Sequence, residues 1–485
     1  MSENRKQEKD YTTEVDEALP LAEKTAKSGK LQDALDKLFV LEKQARNAAD
    51  LKSTTRLVTA ITRLAYETRD YSLLNTSIQT LAKKHGQLKG AAQGMVEQAM
   101  GWLDEIRSRD GVEKWLELVE TLRTVTEGKL YLETPRARVT LQLAQYYEHL
   151  AENPTKDSPP KRDSLIRASD LLNDLQVETY SSMERKEKTD FILNQMRLLI
   201  EVARIKDAEY EVDRKDVKGK DPMGGGENEW VKVRVASRKI NEQFLTDKDN
   251  EALKLTYYDM MVQYGLRHHA YLDIAKYYRK VWETPSIKGD ENGKGRIALE
   301  HIVYFCILAP HDNEQSDMMN KLYIDPSITK LEPQHQILKS FTDQEIMRWP
   351  AIEQVYGSFL RETDVFKVDK HWEDLHIRII EHNIRIIATY YSRIKLDRLS
   401  TLLDLPVKET EETLSRLVVS ATIWARIDRP AGVVNFRAKR DAEEVMNDWS
   451  SDMQKLLGHV EKAWMDMNAA QAAQSRVKAQ AAAGS

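Results

Sequence analysis

The sequence has one cysteine, 13 prolines and 19 glycines in 485 residues, and each scarcity excludes a class of structure. A single cysteine, Cys306, cannot form an intrachain disulfide or a CxxC metal site. Its surroundings, IVYFCIL, predict a buried hydrophobic side chain rather than a nucleophile. Turn-rich β architectures need more glycine and proline, whereas strong helix formers fill long stretches of this chain. The sequence therefore predicts an all-α protein.

Strong net charge and long apolar runs are also missing. The formal net charge of -5 gives no basic field that would attract a polyphosphate. No apolar run reaches the ~18 residues of a membrane span, and the first residues, MSENRKQEKDYTTEVDE, lack a hydrophobic signal-peptide core. We expect neither a nucleic acid nor a membrane as a partner, and we expect the protein in the cytoplasm and nucleus.

The patterns of common active sites are absent as well. The sequence has no GxxxxGK[ST], no HExxH and no GxSxG. A zinc deubiquitinase needs two spaced histidines and a distant aspartate, but His268 and His269 are adjacent. His382 and Asn383 fall in an apolar helix and are predicted to be a hydrogen-bonded interior pair. We predict no enzymatic activity, no metal site and no cofactor.

A weak repeat of about 40 residues runs through the first 150 residues. Helix breakers followed by helix patterns occur at 28–31, 69–71 and 109–111. After the first breaker, Leu31, Ala34, Leu35 and Leu38 share one helical face. We predict a disordered N-terminus at 1–15 and an α-solenoid of TPR-like helix pairs at 16–369. An antiparallel helix bundle would show the same faces and stays open as the alternative.

One interruption of the solenoid stands out. Residues 206–229 contain the charged run DRKDVKGKDPMGGGENE, with Pro222 and three successive glycines. This composition predicts an exposed loop insertion between two helices.

The order of elements changes from residue 370 onward. A broadly apolar helix around Leu375–Tyr391 is followed by a short strand, a helix, a turn at Asp404, a second helix and a hairpin. This is the order of a winged helix, predicted at 370–440. The hairpin offers a free edge for strand addition by another protein. The predicted protein-interaction residues of this winged-helix edge are Ile423, Trp424, Ile427, Val433, Val434, Asn435 and Phe436.

Many winged helices bind DNA through the helix that follows the turn, so this alternative has to be considered. Here that helix begins with Glu409, Glu411 and Glu412, which would repel phosphates. The hairpin adds only a few arginines. Nucleic-acid binding is therefore disfavoured.

The last helix has a repeating apolar pattern. Apolar residues recur every seven positions in two interleaved sets, as in the a and d positions of a coiled coil. We call the predicted protein-interaction residues of this C-terminal helix the seam: Ala442, Met446, Trp449, Met453, Leu456, Val460 and Met467. The prediction is a bundle helix at 441–470 that packs against other chains, followed by a disordered tail at 471–485. Folding back on its own chain is the alternative.

Helical repeats that lead into a winged helix resemble the PCI-domain family, whose members are scaffold subunits of the proteasome lid, the COP9 signalosome and translation initiation factor three. The chain is most similar to the PCI lid subunits of the 26S proteasome. The stretches that carry this resemblance are TLRTVTEGKLYLETPRAR at 121–138, LQVETYSSMERKEKTDFILNQMRLL at 175–199, ILAPHDNEQSD at 307–317, MRW at 347–349, and 381–436, which begins EHNIRIIATYYSRI.

The resemblance implies a scaffold subunit that supports degradation of ubiquitinated proteins. In that family winged helices associate side by side and C-terminal helices gather in a bundle. The implied partners are the other PCI and MPN subunits of the lid, including its zinc deubiquitinase, together with the proteasome base and core particle. The equivalent subunit of the COP9 signalosome has the same architecture and remains the alternative.

Overall fold

The structure is a computed structural model that describes residues 9–153, 159–216, 225–288, 293–436 and 442–483. It divides into two compact units, Met1–Ala298 and Leu299–Ser485. No helix in these ranges combines the length and apolar character needed to span a membrane.

Helices account for most of the first unit. They are α1 Thr12–Lys27, α2 Leu31–Asn47, α3 Leu51–Glu67, α4 Tyr71–Lys83, α5 Lys89–Gly101, α6 Leu103–Arg109, α7 Val112–Thr126, α8 Glu133–Glu152, α9 Lys161–Asn173, α10 Arg185–Asp216, α11 Glu227–Lys239, α12 Glu242–Leu245, α13 Glu251–His268, α14 Tyr271–Trp282 and α15 Pro285–Lys288. Short 3₁₀ turns occur at Leu130–Leu132, Val177–Thr179 and Lys248–Asn250.

The second unit adds a small sheet to its helices. After α16, Lys294–Leu308, which contains the boundary, come α17 Asn313–Ile324, α18 Pro326–Thr329, α19 Glu332–Thr342, α20 Trp349–Glu362, α21 Asp369–Tyr390, β1 Arg393–Lys395, α22 Leu396–Leu403, α23 Val407–Val419, β2 Arg426–Asp428, β3 Val433–Asn435 and α24 Ala442–Ala483. The predicted fold class is confirmed: a helical amino-terminal region, a winged helix with a small hairpin, and a long C-terminal helix.

The predicted breakers lie where the chain reverses direction. Gly29, Arg69 and Gly111 all have positive φ, at 88°, 60° and 100°, and each lies just before a helix. A left-handed residue ends one helix and redirects the chain into the next. The repeat seen in the sequence is therefore a repeat of helix ends.

Contacts between repeats keep the same spacing. Arg56 bonds Asp16 and Arg63 bonds Glu23, each pair 40 residues apart, and the Tyr71 hydroxyl donates to Asp110 across 39 residues. Exposed ion pairs contribute little energy. Their constant separation shows that equivalent positions of successive repeats lie side by side.

The apolar core of the first unit is also arranged along the sequence. Three clusters of buried residues succeed one another, from Val15 to Leu143, from Ala137 to Val202 and from Ile192 to Met261. Each cluster overlaps its neighbour by only a few residues. Helices thus bury their apolar faces against neighbours in sequence, as stacked repeats do.

The predicted loop at 206–229 is shorter than expected. Because α10 continues to Asp216 and α11 begins at Glu227, the prediction is wrong for 206–216 and 227–229. Residues 217–224 lie outside the described residues. The charged side chains of 206–216 suggested a loop, but lysine, glutamate and arginine are also good helix formers.

Asp207 fixes the ends of this interruption. Its carboxylate accepts hydrogen bonds from the Gly226 N–H at 2.8 Å, from Trp230 Nε1 at 2.9 Å and from Arg267 Nε at 2.8 Å. Burial alone would raise the pKa of Asp207, but the bonds from Arg267, Trp230 and Gly226 outweigh it and hold that pKa below its ordinary value. One carboxylate therefore joins α10 to α11 and α13.

Both predicted disordered ends need correction. α1 begins at Thr12, so disorder at 1–15 is wrong for 12–15, while residues 1–8 lie outside the described part. α24 continues to Ala483, so the disordered tail predicted at 471–485 is wrong as far as 483. Alanine and glutamine have high helix propensity and extend a helix that is already formed. The other predicted domain boundaries stay predictions.

Replacing Asp207 with alanine should destabilise the α10–α11 connection by about 2–3 kcal/mol, because Arg267 and Trp230 lose a charged acceptor. Hydrogen exchange of the α11 amides measures this. Because the pKa of Asp207 is lowered in the folded state, the stability difference between wild type and variant is fully present above about pH 4, near the ordinary pKa of aspartate. It is lost as the pH falls through the lower pKa of the folded state.

Asp190→Ala, at an exposed position on the same helix, is the matched control and should leave α11 exchange unchanged. Equal exchange in the Asp207 and Asp190 variants would contradict the role given to Asp207.

Candidate protein-interaction surfaces

The sheet of the second unit has the strand order β1–β3–β2. Val434 of β3 lies opposite Ile394 of β1 on one side and opposite Ile427 of β2 on the other. Both hydrogen-bonding edges of β3 are occupied, so β3 cannot pair with a strand from another protein. Among the described residues, the outer edges of β1 and β2 have no strand partner.

This order corrects the predicted winged-helix edge. Val433, Val434 and Asn435 form the central strand rather than a free edge. Most of the predicted set packs into the core of the winged helix: Ile423, Val433, Val434 and Phe436 are buried, and Ile427 and Asn435 are half-buried. Trp424 alone of the seven is exposed, at 47%. The short strand before α22 was predicted, but its pairing with β3 was not, because that pairing joins segments about 40 residues apart.

The sequence analysis missed a second exposed apolar residue of the winged helix. Val419, the last residue of α23, is 87% exposed. The buried positions of this helix are Thr410, Leu414 and Leu417, and Val419 falls on the opposite face. An apolar residue opposite the core face was the signal that could have identified it.

The seam on α24 lies entirely in solvent. Every described side chain from 442 to 476 is exposed. Among the six large seam residues, the exposed fraction runs from 40% for Met453 to 64% for Met446, and Trp449 is 62% exposed. The structure brings all seven seam residues onto one helix and covers none of them.

Three further apolar residues extend the seam. Val445, Leu457 and Trp464 are 50%, 63% and 61% exposed. At 100° per residue Trp464 falls within the arc of the seam, and Val445 and Leu457 lie just beyond its two edges. A strict seven-residue repeat excludes them, whereas the 3.6-residue period of a straight helix places them within or next to that arc. We call the seam together with these three residues the apolar stripe of α24.

The face that would meet DNA is acidic, as the sequence indicated. Glu409 and Glu412 are exposed on α23, and Arg429 of the hairpin turn donates to Glu411. That bond removes one cation from any phosphate contact. Arg426 is exposed, while Arg437 lies outside the described residues.

Two of the residues considered for chemistry, Cys306 and Asn383, are buried. Cys306 is fully buried, and burial raises the pKa of its thiol to about 12. Asn383 is also buried, but both of its amide atoms bond the backbone of Met347, at 2.8 Å and 2.6 Å, rather than His382 as predicted. Within the described ranges, no group of three or more histidine, cysteine, aspartate or glutamate side chains is placed to hold a metal ion.

Three family models match consecutive parts of the chain. They are "PSMD12/CSN4, N-terminal" at residues 33–290, "PCI domain" at 335–438 and "26S proteasome regulatory subunit RPN5 C-terminal domain" at 443–463. The second covers the winged helix, and the third covers the first half of α24, where most of the apolar stripe lies.

Curated relatives match over nearly the whole length. The chain is 38% identical to 26S proteasome regulatory subunit RPN5 of Saccharomyces cerevisiae over 460 residues, covering 94% of each chain. It is 34% identical to 26S proteasome non-ATPase regulatory subunit 12 of Dictyostelium discoideum, over 94% of this chain and 93% of the relative. Homolog A of that subunit in Arabidopsis thaliana is also 34% identical, over 90% of this chain and 95% of the relative.

The strand order gives a test of which hairpin residues are accessible. Val434→Asp places an unpaired charge in the core and should destabilise the winged helix by at least about 3 kcal/mol. Trp424→Asp, at an exposed position, should change stability by no more than about 0.5 kcal/mol. Thermal unfolding with limited proteolysis of the region around β2 distinguishes them. Similar stability of the two variants would show that β3 is not central.

Proposed function

The chain belongs to the family of the 26S proteasome regulatory subunits RPN5 and PSMD12, and on that premise we propose that it is a non-catalytic scaffold subunit of the lid of the 26S regulatory particle. In this role it assembles with other subunits through its winged helix and C-terminal helix, and so supports ATP-dependent degradation of ubiquitinated proteins. The observation that carries the proposal is the uncovered apolar stripe of α24.

A partner that buries the apolar stripe has to extend along its whole length. The stripe runs from Ala442 to Met467 of α24, which corresponds to about 40 Å of helix. Burying each large apolar side chain of the stripe would contribute about 1.5–3 kcal/mol. Helices of other subunits packed along the same direction provide such a cover, and the interleaved spacing of the seam suits helix-to-helix packing.

The winged helix provides a second contact. The outer edge of β2 and the exposed ring of Trp424 lie within a few residues of each other in the chain. A strand edge supplies backbone hydrogen bonds, and a neighbouring aromatic side chain supplies apolar area. We propose that an adjacent PCI subunit docks here.

The burial of Cys306 and the raised pKa of its thiol favour a scaffold function over catalysis. Cys306 is buried and its raised pKa keeps it protonated at neutral pH, so it is a poor nucleophile. The partners we propose are the PCI and MPN subunits of the lid, including its zinc deubiquitinase, together with the base and core particle. We further propose that the protein acts in the cytoplasm and nucleus.

Two alternatives have distinct signatures. The amino-terminal family model groups PSMD12 with CSN4 and so does not separate proteasome from signalosome, but the C-terminal model and the three relatives above are named for the proteasome. Co-purification with signalosome subunits and without proteasomal ATPases would favour the first alternative, the equivalent subunit of the COP9 signalosome. Salt-dependent binding of DNA or RNA by the full-length chain would favour the second, a nucleic-acid-binding protein.

Replacing both Trp449 and Leu456 with aspartate should release the protein from its complex, because two carboxylates in an apolar bundle cost several kcal/mol. Affinity purification with mass spectrometry measures the bound subunits. Circular dichroism should show unchanged helix content, since both positions are exposed in the chain itself.

The matched control carries the same charges on the polar face of the same helix, Ser451→Asp with Gln454→Asp. It should co-purify normally. Equal loss of partners in both double variants, or in neither, would argue against the stripe as the subunit contact.

A further inference from the structure

A polar cavity of about 270 Å³ lies within the second unit, between α17, the end of α19 and α21. His311 and Gln315 line it from the start of α17, and His382 and Arg385 line it from α21. The other lining side chains are mostly hydroxyls and amides, with apolar contributions from Met319, Phe341 and Ile386. The polar set is Ser316, Asn320, Thr342, Gln344 and Thr389. Such a lining offers many hydrogen bonds in a small volume.

Two nitrogens beside this cavity lack a partner. His382 is only 5% exposed, and its Nε2 has no hydrogen-bond partner among the described residues. Arg385 lies one turn further along α21, and its buried Nε also has no hydrogen-bond partner among the described residues. An unsatisfied buried polar atom costs about 1–3 kcal/mol. A ligand that bonded both atoms would recover that cost.

One positive charge, that of Arg385, acts on both histidines that line the cavity. Burial first, and then the charge of Arg385, lowers the pKa of His382 to about 4, and the same two causes lower the pKa of His311. Both imidazoles are therefore neutral at pH 7, beside one guanidinium. In the described part of the chain, no carboxylate lies within salt-bridge distance of Arg385.

Several acidic groups lie near these residues. Glu381 on α21 pairs with Arg378 and Arg416, and its charge also acts on Arg385, although burial is the larger effect and lowers the pKa of Arg385. Asp343 lines the cavity but is exposed, and it is not among the charges that shift either imidazole or Arg385. Asp312 acts on His311 and partly offsets its shift. Tyr390 is largely exposed beside the opening.

We propose that this cavity binds a phosphate monoester. A hydrogen bond to the backbone of Glu345 raises the pKa of His382 and partly offsets the effect of burial. Because Nε2 has no partner, we assign this bond to Nδ1–H, which leaves Nε2 as an acceptor in the neutral ring. The ligand must therefore donate a proton to His382 while it accepts hydrogen bonds from Arg385. A phosphate monoester does both near neutral pH, because its second pKa is about 6 and its monoanion keeps one O–H.

Other oxyanions satisfy only half of this requirement. A carboxylate or a sulfate has no proton to donate at pH 7, so it can pair with Arg385 but not with neutral His382. The volume also exceeds that of a phosphate group, and Met319 and Phe341 provide an apolar wall for the carbon side of an ester. This site goes beyond the scaffold function and does not rest on it.

Isothermal titration calorimetry of the full-length chain with glycerol 3-phosphate tests the proposal. Glycerol 3-phosphate should bind at pH 6, where about half of it is the monoanion, and sulfate should bind about fivefold more weakly at the same pH because it leaves the buried His382 nitrogen without a hydrogen bond. Binding of the ester should strengthen from pH 8 to pH 6 as its monoanion becomes more populated, while sulfate binding should not change over that range. Sulfate binding as tight as the ester, or no ester binding at millimolar concentration, would overturn the proposal.

Arg385→Gln should weaken ester binding by at least about tenfold, whereas Arg398→Gln, at an exposed arginine on α22, should not change it. If Arg385→Gln fails to fold by circular dichroism, Arg385→Lys keeps the charge and should retain weaker binding. Equal affinity of the wild type, Arg385→Gln and Arg398→Gln would contradict the assignment. An N-acetyl phosphoserine amide that binds more tightly than glycerol 3-phosphate would assign the ester to a modified protein, and the reverse order would assign it to a small metabolite.

Discussion

The uncovered apolar stripe of α24 is the constraint on which the functional account depends. Trp449, Leu456 and Trp464 lie on one face of a helix whose described side chains from 442 to 476 are all in solvent. A contiguous apolar face of this length is unfavourable in water, and the proposed function assigns its cover to other chains. On that proposal the helix is one part of a larger core, and assembly of the scaffold completes this core.

Most other described helices bury their apolar faces within their own unit. In the first unit each helix buries its face against near neighbours, and contacts recur at separations of about 40 residues, as between Arg56 and Asp16. In the second unit a small core between α21 and β3 holds the winged helix, with Ile384, Leu414 and Val434 at its centre. Units that have cores of their own can present a helix with an uncovered apolar face without unfolding.

The sequence was a good guide wherever the signal was local. The turn at Asp404, which has positive φ, the helix pattern of α23 and the breaker at Gly111 are set by neighbouring residues, so each was predictable. Strand order was not, because β1 and β3 are far apart in sequence and either hairpin strand could have been the outer one. The continuation of α10 was also missed, since Asp207 finds its partner Arg267 60 residues away. The seam was found because one helix carries it, and the cavity beside His382 was not, because three separate helices build it.

Site-specific photo-crosslinking measures what covers the stripe most directly. A photoreactive residue at position 456, compared with one at 454 on the polar face, is introduced into the full-length protein in cells, and the crosslinked products are identified by mass spectrometry. The account predicts crosslinks from 456 to other proteasome regulatory subunits and few from 454. Crosslinks from 456 that lead only to other parts of the same chain would show that the stripe is covered from within, and would contradict the scaffold function proposed for α24.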